Sequence, residues 1–197
     1  MELIAPLWIL LWSGILNMRI ELNIPEGTSN NFEVAHYTSD TTDNMWQTYL
    51  NMKNETHDSH IVLLKEGCPM PIMQDSEAEY NEHQWLWDNA TGDILIGGLG
   101  IGLVNEVLIN NDDITSITIV ENSQDVIDLV WEHCTKDDRF TLILEDFETW
   151  EIPDDMEWNI VWADTWLIDN TLDNYDYKLL ITDKYSQHTT NIGFWGD

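Results

Sequence analysis

The stretch from Asp93 to Glu121 constrains the fold more than any other part of the chain. Ile94-Leu95-Ile96 is a short apolar run of strand type, and Gly97-Gly98-Leu99-Gly100-Ile101-Gly102 is a turn. Leu103 to Asn110 starts a helix, and Ser116 to Val120 is a second strand. Parallel strands cannot be joined by a tight hairpin, so strand, turn, helix, strand is the grammar of a parallel sheet. The grammar continues with a helix over Gln124 to Cys134, a third strand over Phe140 to Leu144 and a fourth over Trp158 to Ala163. Such apolar strands are buried on both faces. An α/β fold follows, with a helix from roughly Leu172 to Tyr185 and a short tail after the fourth strand.

Upstream the pattern differs. Arg19 to Ile24 alternates apolar and polar and predicts a strand, Glu26 to Asn31 a turn, and Phe32 to Tyr37 the returning strand. Asp43 to Met52 has helical spacing, Ser59 to Lys65 reads as a strand, and Pro69 and Pro71 break regular structure. Glu77 to Asn89 predicts one helix. The chain therefore divides into an apolar extension (1–18), a small β-rich N-terminal lobe (19–76) and an α/β domain (77–197). The apolar run Leu3 to Leu16 is shorter than the roughly 20 residues a membrane span needs, and no basic residue precedes it as in a signal peptide. A packed or extra segment ranks ahead of a signal or anchor, and Met18 offers an alternative start.

Charge narrows the function. The chain has 197 residues, 37 of them Asp or Glu and 7 Lys or Arg, for a formal net charge of -30. With 43% hydrophobic residues and 11 Trp it carries the apolar surface that disordered acidic chains lack. Seven scattered cations offer no patch for phosphates, which excludes nucleic acid as a partner and argues against anionic membranes. The acid excess suits solubility at high ionic strength and a saline habitat. Cys68 and Cys134 are not at metal-site spacing and the six His form no cluster in sequence, so no metal site is expected. The default compartment is the reducing cytoplasm.

Four loops at carboxyl ends of the predicted strands carry candidate chemistry. Gly98, Gly100 and Gly102 open a helix after the first strand, where a ligand can approach the backbone. No Gly-Lys-Ser/Thr grips a phosphate there, and Leu103 stands where a dinucleotide fingerprint has its third Gly. Glu121 ends the second strand, where such folds place an acceptor for ribose hydroxyls. Asp146 and Phe147 follow the third strand, a carboxylate for an adenine amino group beside a ring to pack on it. Asp164 ends the fourth, followed by Thr165 and Trp166. Open α/β sheets bind ligands at this edge.

On these residues the sequence resembles class I S-adenosylmethionine-dependent methyltransferases. Asp93 to Leu103 is similar to their first motif, Ile117-Thr-Ile-Val-Glu-Asn122 to the second, Leu144-Glu-Asp-Phe147 to the third and Trp158 to Trp166 to the fourth. More narrowly it resembles small methyltransferase-like proteins of phage and environmental genomes, through Met73-Gln-Asp-Ser-Glu-Ala-Glu79, the glycine loop and Asp164-x-Trp166. The resemblance implies a Rossmann-like sandwich over 77–197 with a truncated C-terminal end, and S-adenosyl-L-methionine as cofactor. Gly98, Gly100 and Gly102 would approach its methionine part, Glu121 its ribose, Asp146 and Phe147 its adenine, and Asp164 its amine or the acceptor, with Asn122 a further cofactor contact. One departure is Ile96, which stands where the first motif usually has an acid.

The chain also resembles the spermidine synthase branch of that fold, through Gly97-Gly98, Asn105-Glu106-Val107-Leu108 and the acidic segment Asp75 to His83, with Tyr80 within it. That branch's loop acid falls on Gly100 and its Asp-Pro is replaced by Asp164-Thr165. Candidate catalytic groups are Asp164 and Asp75, with His83 read first as a helix-surface residue; Trp166 and Tyr80 are the candidate pocket lining. The expectation is a methyltransferase acting on a small-molecule or protein acceptor. The alternatives are an aminopropyltransferase or a non-catalytic binding protein of the same fold. Only 33 residues follow Asp164, so a homodimer partner could complete the acceptor wall, in the cytoplasm of a host if the gene is phage-borne.

Overall fold

The computed structural model describes residues 20–38, 44–55, 59–165 and 174–197. Residues 1–18, and Trp166 with them, lie outside the described residues. The elements in chain order are β1 (Gly27–Ser29), β2 (Phe32–Thr38), α1 (Asn44–Met52), β3 (Ser59–Lys65), β4 (Met73–Gln74), α2 (Glu77–Glu82), α3 (Gln84–Asn89), β5 (Gly92–Gly97) and α4 (Leu103–Leu108). They continue with β6 (Ile114–Glu121), α5 (Gln124–Val130), a single 3-10 turn (Trp131–His133), β7 (Phe140–Leu144), β8 (Ile160–Ala163), α6 (Asn174–Tyr185) and β9 (Ile192–Phe194).

Two sheets form. The first is antiparallel, in the order β1-β2-β3-β4. The second is parallel throughout, in the order β7-β6-β5-β8-β9. From β5 the chain builds outward to β7 on one side, then crosses to β8 and β9 on the other. This order reverses between β5 and β8, and a crevice opens outside the carboxyl ends of the strands.

Alternation along the parallel strands divides the core. Ile94, Ile96, Ile117, Ile119, Ile160 and Trp162 point to one face, and Leu95, Val120, Val161 and Ala163 to the other. The first face also packs Ile24, Val34, Ile61, Leu63 and Met73, so the antiparallel sheet shares one core with the parallel one. The second face is covered by Tyr185 and Ile181 of α6 and by Phe147 and Trp158. Each fully buried Ile or Leu, such as Ile94 or Ile117, contributes about 1.5–3 kcal/mol by leaving water.

Three sequence expectations need correction. Residues 20–26 carry no strand; the first strand forms inside the predicted turn, at Gly27–Ser29. There the turn shrinks to Asn30 and Asn31, with Asn30 at φ 45°, and Ser29 Oγ and Asn30 Nδ2 both donate to Asp125 Oδ1 of α5. The apolar alternation of Ile20, Leu22 and Ile24 instead packs on the core, and the Ile24 carbonyl accepts from His36 Nε2 at 2.8 Å. The helix expected over Glu77 to Asn89 breaks into α2 and α3 at His83, at φ -100° and ψ 8°. The tail after α6 contains β9, which pairs Ile192, Gly193 and Phe194 with Val161, Trp162 and Ala163. Its centre must be glycine, because a Cβ on Gly193 would fall 2.1 Å from the Trp85 ring.

Candidate functional site

The crevice at the carboxyl ends of the parallel strands is a cleft of about 770 Å³. That lies within the roughly 300–1,000 Å³ of small-molecule sites. One wall is the glycine loop with Glu121 and Asn122; the others come from Asp146 to Glu148, from Asp164 and Thr165, from α6, and from Lys65 and Met73 of the antiparallel sheet with the adjoining Ile72. Among the described residues, five carboxylates (Glu121, Asp146, Glu148, Asp164 and Asp176) and one cation (Lys65) line it.

The glycine loop is shaped from within. Gly98, Gly100 and Gly102 sit at φ 98°, 55° and 73°, which glycine adopts without steric cost. The space beside each is filled by protein. A Cβ would fall 2.5 Å from the Asp164 carbonyl oxygen at Gly98, 1.8 Å from Met73 Sδ at Gly100 and 2.4 Å from Cys134 Sγ at Gly102. Four of its N–H groups are occupied too. Gly98 donates to Val120 O, Leu99 to Glu121 Oε2 at 3.0 Å, Ile101 to Met73 Sδ at 3.3 Å, and Gly102 to Leu99 O. Glu121 also accepts from Ser123 N at 2.8 Å. Burial raises the Glu121 carboxyl above the ordinary range against these N–H groups, which pull it down.

A second cluster lies behind Asp164. His83 is fully buried, with Nε2 3.3 Å from Asp164 Oδ2. Its ring is stacked on Trp87 at 5.3 Å and tilted against Trp162 at 5.5 Å. His83 Nδ1 donates to the Glu79 carbonyl, one helical turn back, at 2.8 Å. The Glu79 carboxylate is buried and accepts from Trp195 Nε1 at 2.8 Å. Burial pushes Glu79 up to about 8, with His83 pulling it down in part. Burial pushes His83 down, but Asp164 and Glu79 outweigh it and the net direction is up. Beside this cluster is a cavity of about 110 Å³ lined by Trp46, Tyr49, Glu79, Asp164 and Trp195. It shares Ile72, Met73 and Asp164 with the main cleft.

Of the sequence candidates, Gly98, Gly100, Glu121, Asn122, Asp146, Phe147 and Asp164 line the cleft together. Gly102 lies one step behind, as the N-cap of α4. Phe147 is 2% exposed, stacked on Tyr185 at 4.6 Å, with Gly97 bare of a Cβ against its ring. Asp75 lines neither cavity: it is buried, accepts from Ile61 N at 2.8 Å and sits 3.4 Å from His60 Nδ1. It clasps β3 instead. Tyr80 also stands outside both cavities, stacked on Trp87 at 5.5 Å. His83 is a core residue rather than a helix-surface one. Sequence reading assigns no site role to Met73, Lys65 or Glu79. For Glu79 the one available signal was its i,i+4 spacing to His83 at the start of a helix.

No protein-family model matches the chain, and no curated protein matches it either. Solved structures do. It is similar to a proposed RNA methyltransferase of Pyrococcus horikoshii (13% identity, 60% of this chain and 56% of that one, TM-score 0.44). It is similar to the N-methyltransferase NodS of Bradyrhizobium japonicum (10% identity, 60% and 65%, TM-score 0.44). A dimethyladenosine transferase of Plasmodium falciparum also matches (14% identity, 58% and 40%, TM-score 0.40). The chain spans less than two thirds of the length of each. The fold is Rossmann-like, as its own strand order and parallel pairing show.

Proposed function

We propose that the cleft binds S-adenosyl-L-methionine and that the chain is a methyltransferase acting on a small-molecule or protein acceptor. The observation that carries this reading is the combination of an acidic cleft with a glycine loop in which four amides, those of Gly98, Leu99, Ile101 and Gly102, are already bonded within the protein. A phosphate-binding loop must present free N–H groups, usually with a Lys or Arg beside them. Here the Leu99 and Ile101 N–H groups are given to Glu121 and Met73, and among the described lining residues Lys65 is the lone cation beside five carboxylates. Nucleotide phosphates are poorly served by such walls. A nucleoside bearing a positive sulfonium and hydroxyl and amino donors is well served.

When bound, the cofactor supplies a methyl group already activated on sulfonium sulfur. The chain then has to bind and align. Glu121 keeps acceptor lone pairs beyond those its two backbone donors use, and with Asn122 it would take the ribose hydroxyls. Asp146 is exposed at the cleft wall and would take the adenine amino group, with buried Phe147 as the floor. Asp164 is the polar side chain common to both cavities, so we assign it to the meeting point with an acceptor entering through the smaller one.

Calorimetric titration of the full chain with S-adenosylmethionine, S-adenosylhomocysteine, NAD and ATP tests the reading. We expect the two sulfur nucleosides to bind and the phosphate-bearing ligands to fail. Binding of NAD or ATP without the sulfur nucleosides would overturn it.

A further inference from the structure

The Glu79, His83 and Asp164 cluster calls for a positive species, either a second proton on His83 or a cation beside it. His83 Nδ1 faces the Glu79 carbonyl at 2.8 Å, and a carbonyl can only accept, so Nδ1 carries the proton. In the neutral ring that leaves Nε2 with a bare lone pair. Yet Nε2 is fully buried, makes no hydrogen bond, and lies 3.3 Å from an oxygen of Asp164. A buried lone pair facing a carboxylate 3.3 Å away needs a positive charge between or beside the two.

We propose that Glu79, His83 and Asp164 bind a divalent metal ion, of the zinc or manganese class, at the wall shared by the two cavities. Each residue offers one ligand atom, and the three atoms lie within 4.8 Å of one another. One imidazole nitrogen with two carboxylate oxygens is a donor set for Zn2+ or Mn2+, at ligand distances of about 2.0–2.2 Å. The surroundings match what metal sites build around their ligands. The non-ligating nitrogen of the histidine donates to a backbone carbonyl, and the Trp195 indole N–H holds the Glu79 carboxylate. The ring is clamped by Trp87 and Trp162, which fixes the direction of Nε2. The cavity of about 110 Å³ reaches both carboxylates and gives the ion a path of entry. The two segments are far apart in sequence, 79–83 and 164, so no spacing motif announces the site. The inference stands on the described residues alone and does not depend on which cofactor fills the main cleft.

The test uses full-length protein stripped by a chelator, then titrated with Zn2+, Mn2+ and Co2+ in high salt with excess Mg2+ to suppress diffuse binding by surface acids. We expect one equivalent to bind, a rise in melting temperature, and a Co2+ visible spectrum. His83→Ala should weaken binding by about 100-fold or more and abolish that spectrum. Because His83 is buried, Asp164→Ala, at a half-buried position, is the second variant; circular dichroism reports whether each folds. An absence of Zn2+, Mn2+ or Co2+ binding by the wild-type chain would overturn the proposal, leaving a proton on Nε2 as the positive species. Equal binding by wild type and a folded Asp164→Ala would overturn it as well. Cofactor titrations of the same samples are read separately, so a failure here is distinct from a failure of the methyltransferase reading.

Discussion

Glu121 and Asp164 end neighbouring regions of the same parallel sheet and line the same cleft, yet their surroundings are opposite. Glu121 ends β6 and meets two backbone donors, Leu99 N and Ser123 N, so its negative charge is spent on holding the glycine loop. Asp164 follows β8 and meets the buried Nε2 of an imidazole whose other nitrogen is already committed. One carboxylate is satisfied by the fold and the other calls for a cation. Acids at equivalent places in an α/β sheet therefore divide labour by what the adjoining loop offers them. In a chain with 37 acidic residues, that offering separates functional acids from solvated ones more sharply than position does.

The largest effect should come from the residue that touches both regions. The Gly98 N–H donates to Val120 O, beside Glu121, and its bare α-carbon faces the Asp164 carbonyl oxygen. Gly98→Ala puts a Cβ 2.5 Å from that backbone oxygen at φ 98°, and neither can move without shifting a strand. Left-handed strain plus overpacking should cost about 2–4 kcal/mol. Urea denaturation would show it as a lower midpoint at unchanged slope. An unchanged midpoint would mean the two strand ends are not held in this contact.

The next effect separates the two carboxylates by ligand. Glu121→Gln should weaken S-adenosylmethionine binding by about 10–100-fold, the loss of charge-assisted bonds to hydroxyls, and leave Zn2+ binding at the wild-type value. Asp164→Asn should do the reverse to the metal ion, with a loss of at least about 10-fold. Calorimetry on both variants with both ligands reads the split. Parallel losses in all four titrations would erase the contrast between the sites.

Much of this arrangement was legible in the sequence, for a physical reason. The strand, loop and helix pattern from Asp93 onward is local, and a parallel sheet buried on both faces leaves unmistakable apolar runs such as Ile117-Thr-Ile-Val120. Those runs place Glu121, Asp146 and Asp164 at strand ends, and the cleft collects them. What was not legible depends on contacts distant in the chain. Met73 reaches the glycine loop from another sheet, and Asp75, equally acidic, is consumed by Ile61 N. His83 looked like a surface residue because the helix pattern around it runs on. Its side chain instead bonds back to the Glu79 carbonyl at a break between α2 and α3. The strand β9 was missed because three residues with a central Gly carry no periodicity, and only Trp85 explains that Gly.

A smaller effect concerns pH. Burial raises the Glu121 carboxyl above its ordinary value of 4.5. The native state therefore keeps a proton there after the unfolded chain has lost it. The stabilisation that protonated Glu121 contributes is complete below pH 4.5 and is lost as pH rises through the raised value. Glu121→Gln has no such proton. Its stability relative to wild type should thus improve as pH rises across that window, read from urea midpoints of the two proteins. A difference that is flat with pH would show that Glu121 titrates alike in the folded and unfolded chains.

The smallest effect reads the loop's grip directly. Cys134 is buried against Gly102, and burial pushes its thiol up to about 12. The reactive species is the thiolate, so at pH 8 Cys134 should resist iodoacetamide while half-buried Cys68 is modified first. Mass spectrometry of the native protein resolves the two sites. If Glu121 holds the loop through Leu99, then Glu121→Gln should loosen its far end and raise the labelling rate of Cys134 without changing that of Cys68. The loop would open more often, and labelling of a protected group follows the open population. An unchanged Cys134 rate would mean that Met73 Sδ on the Ile101 N–H suffices to hold the loop. The anchoring role assigned to Glu121 would then pass to the antiparallel sheet, and Met73→Ala should expose Cys134 instead.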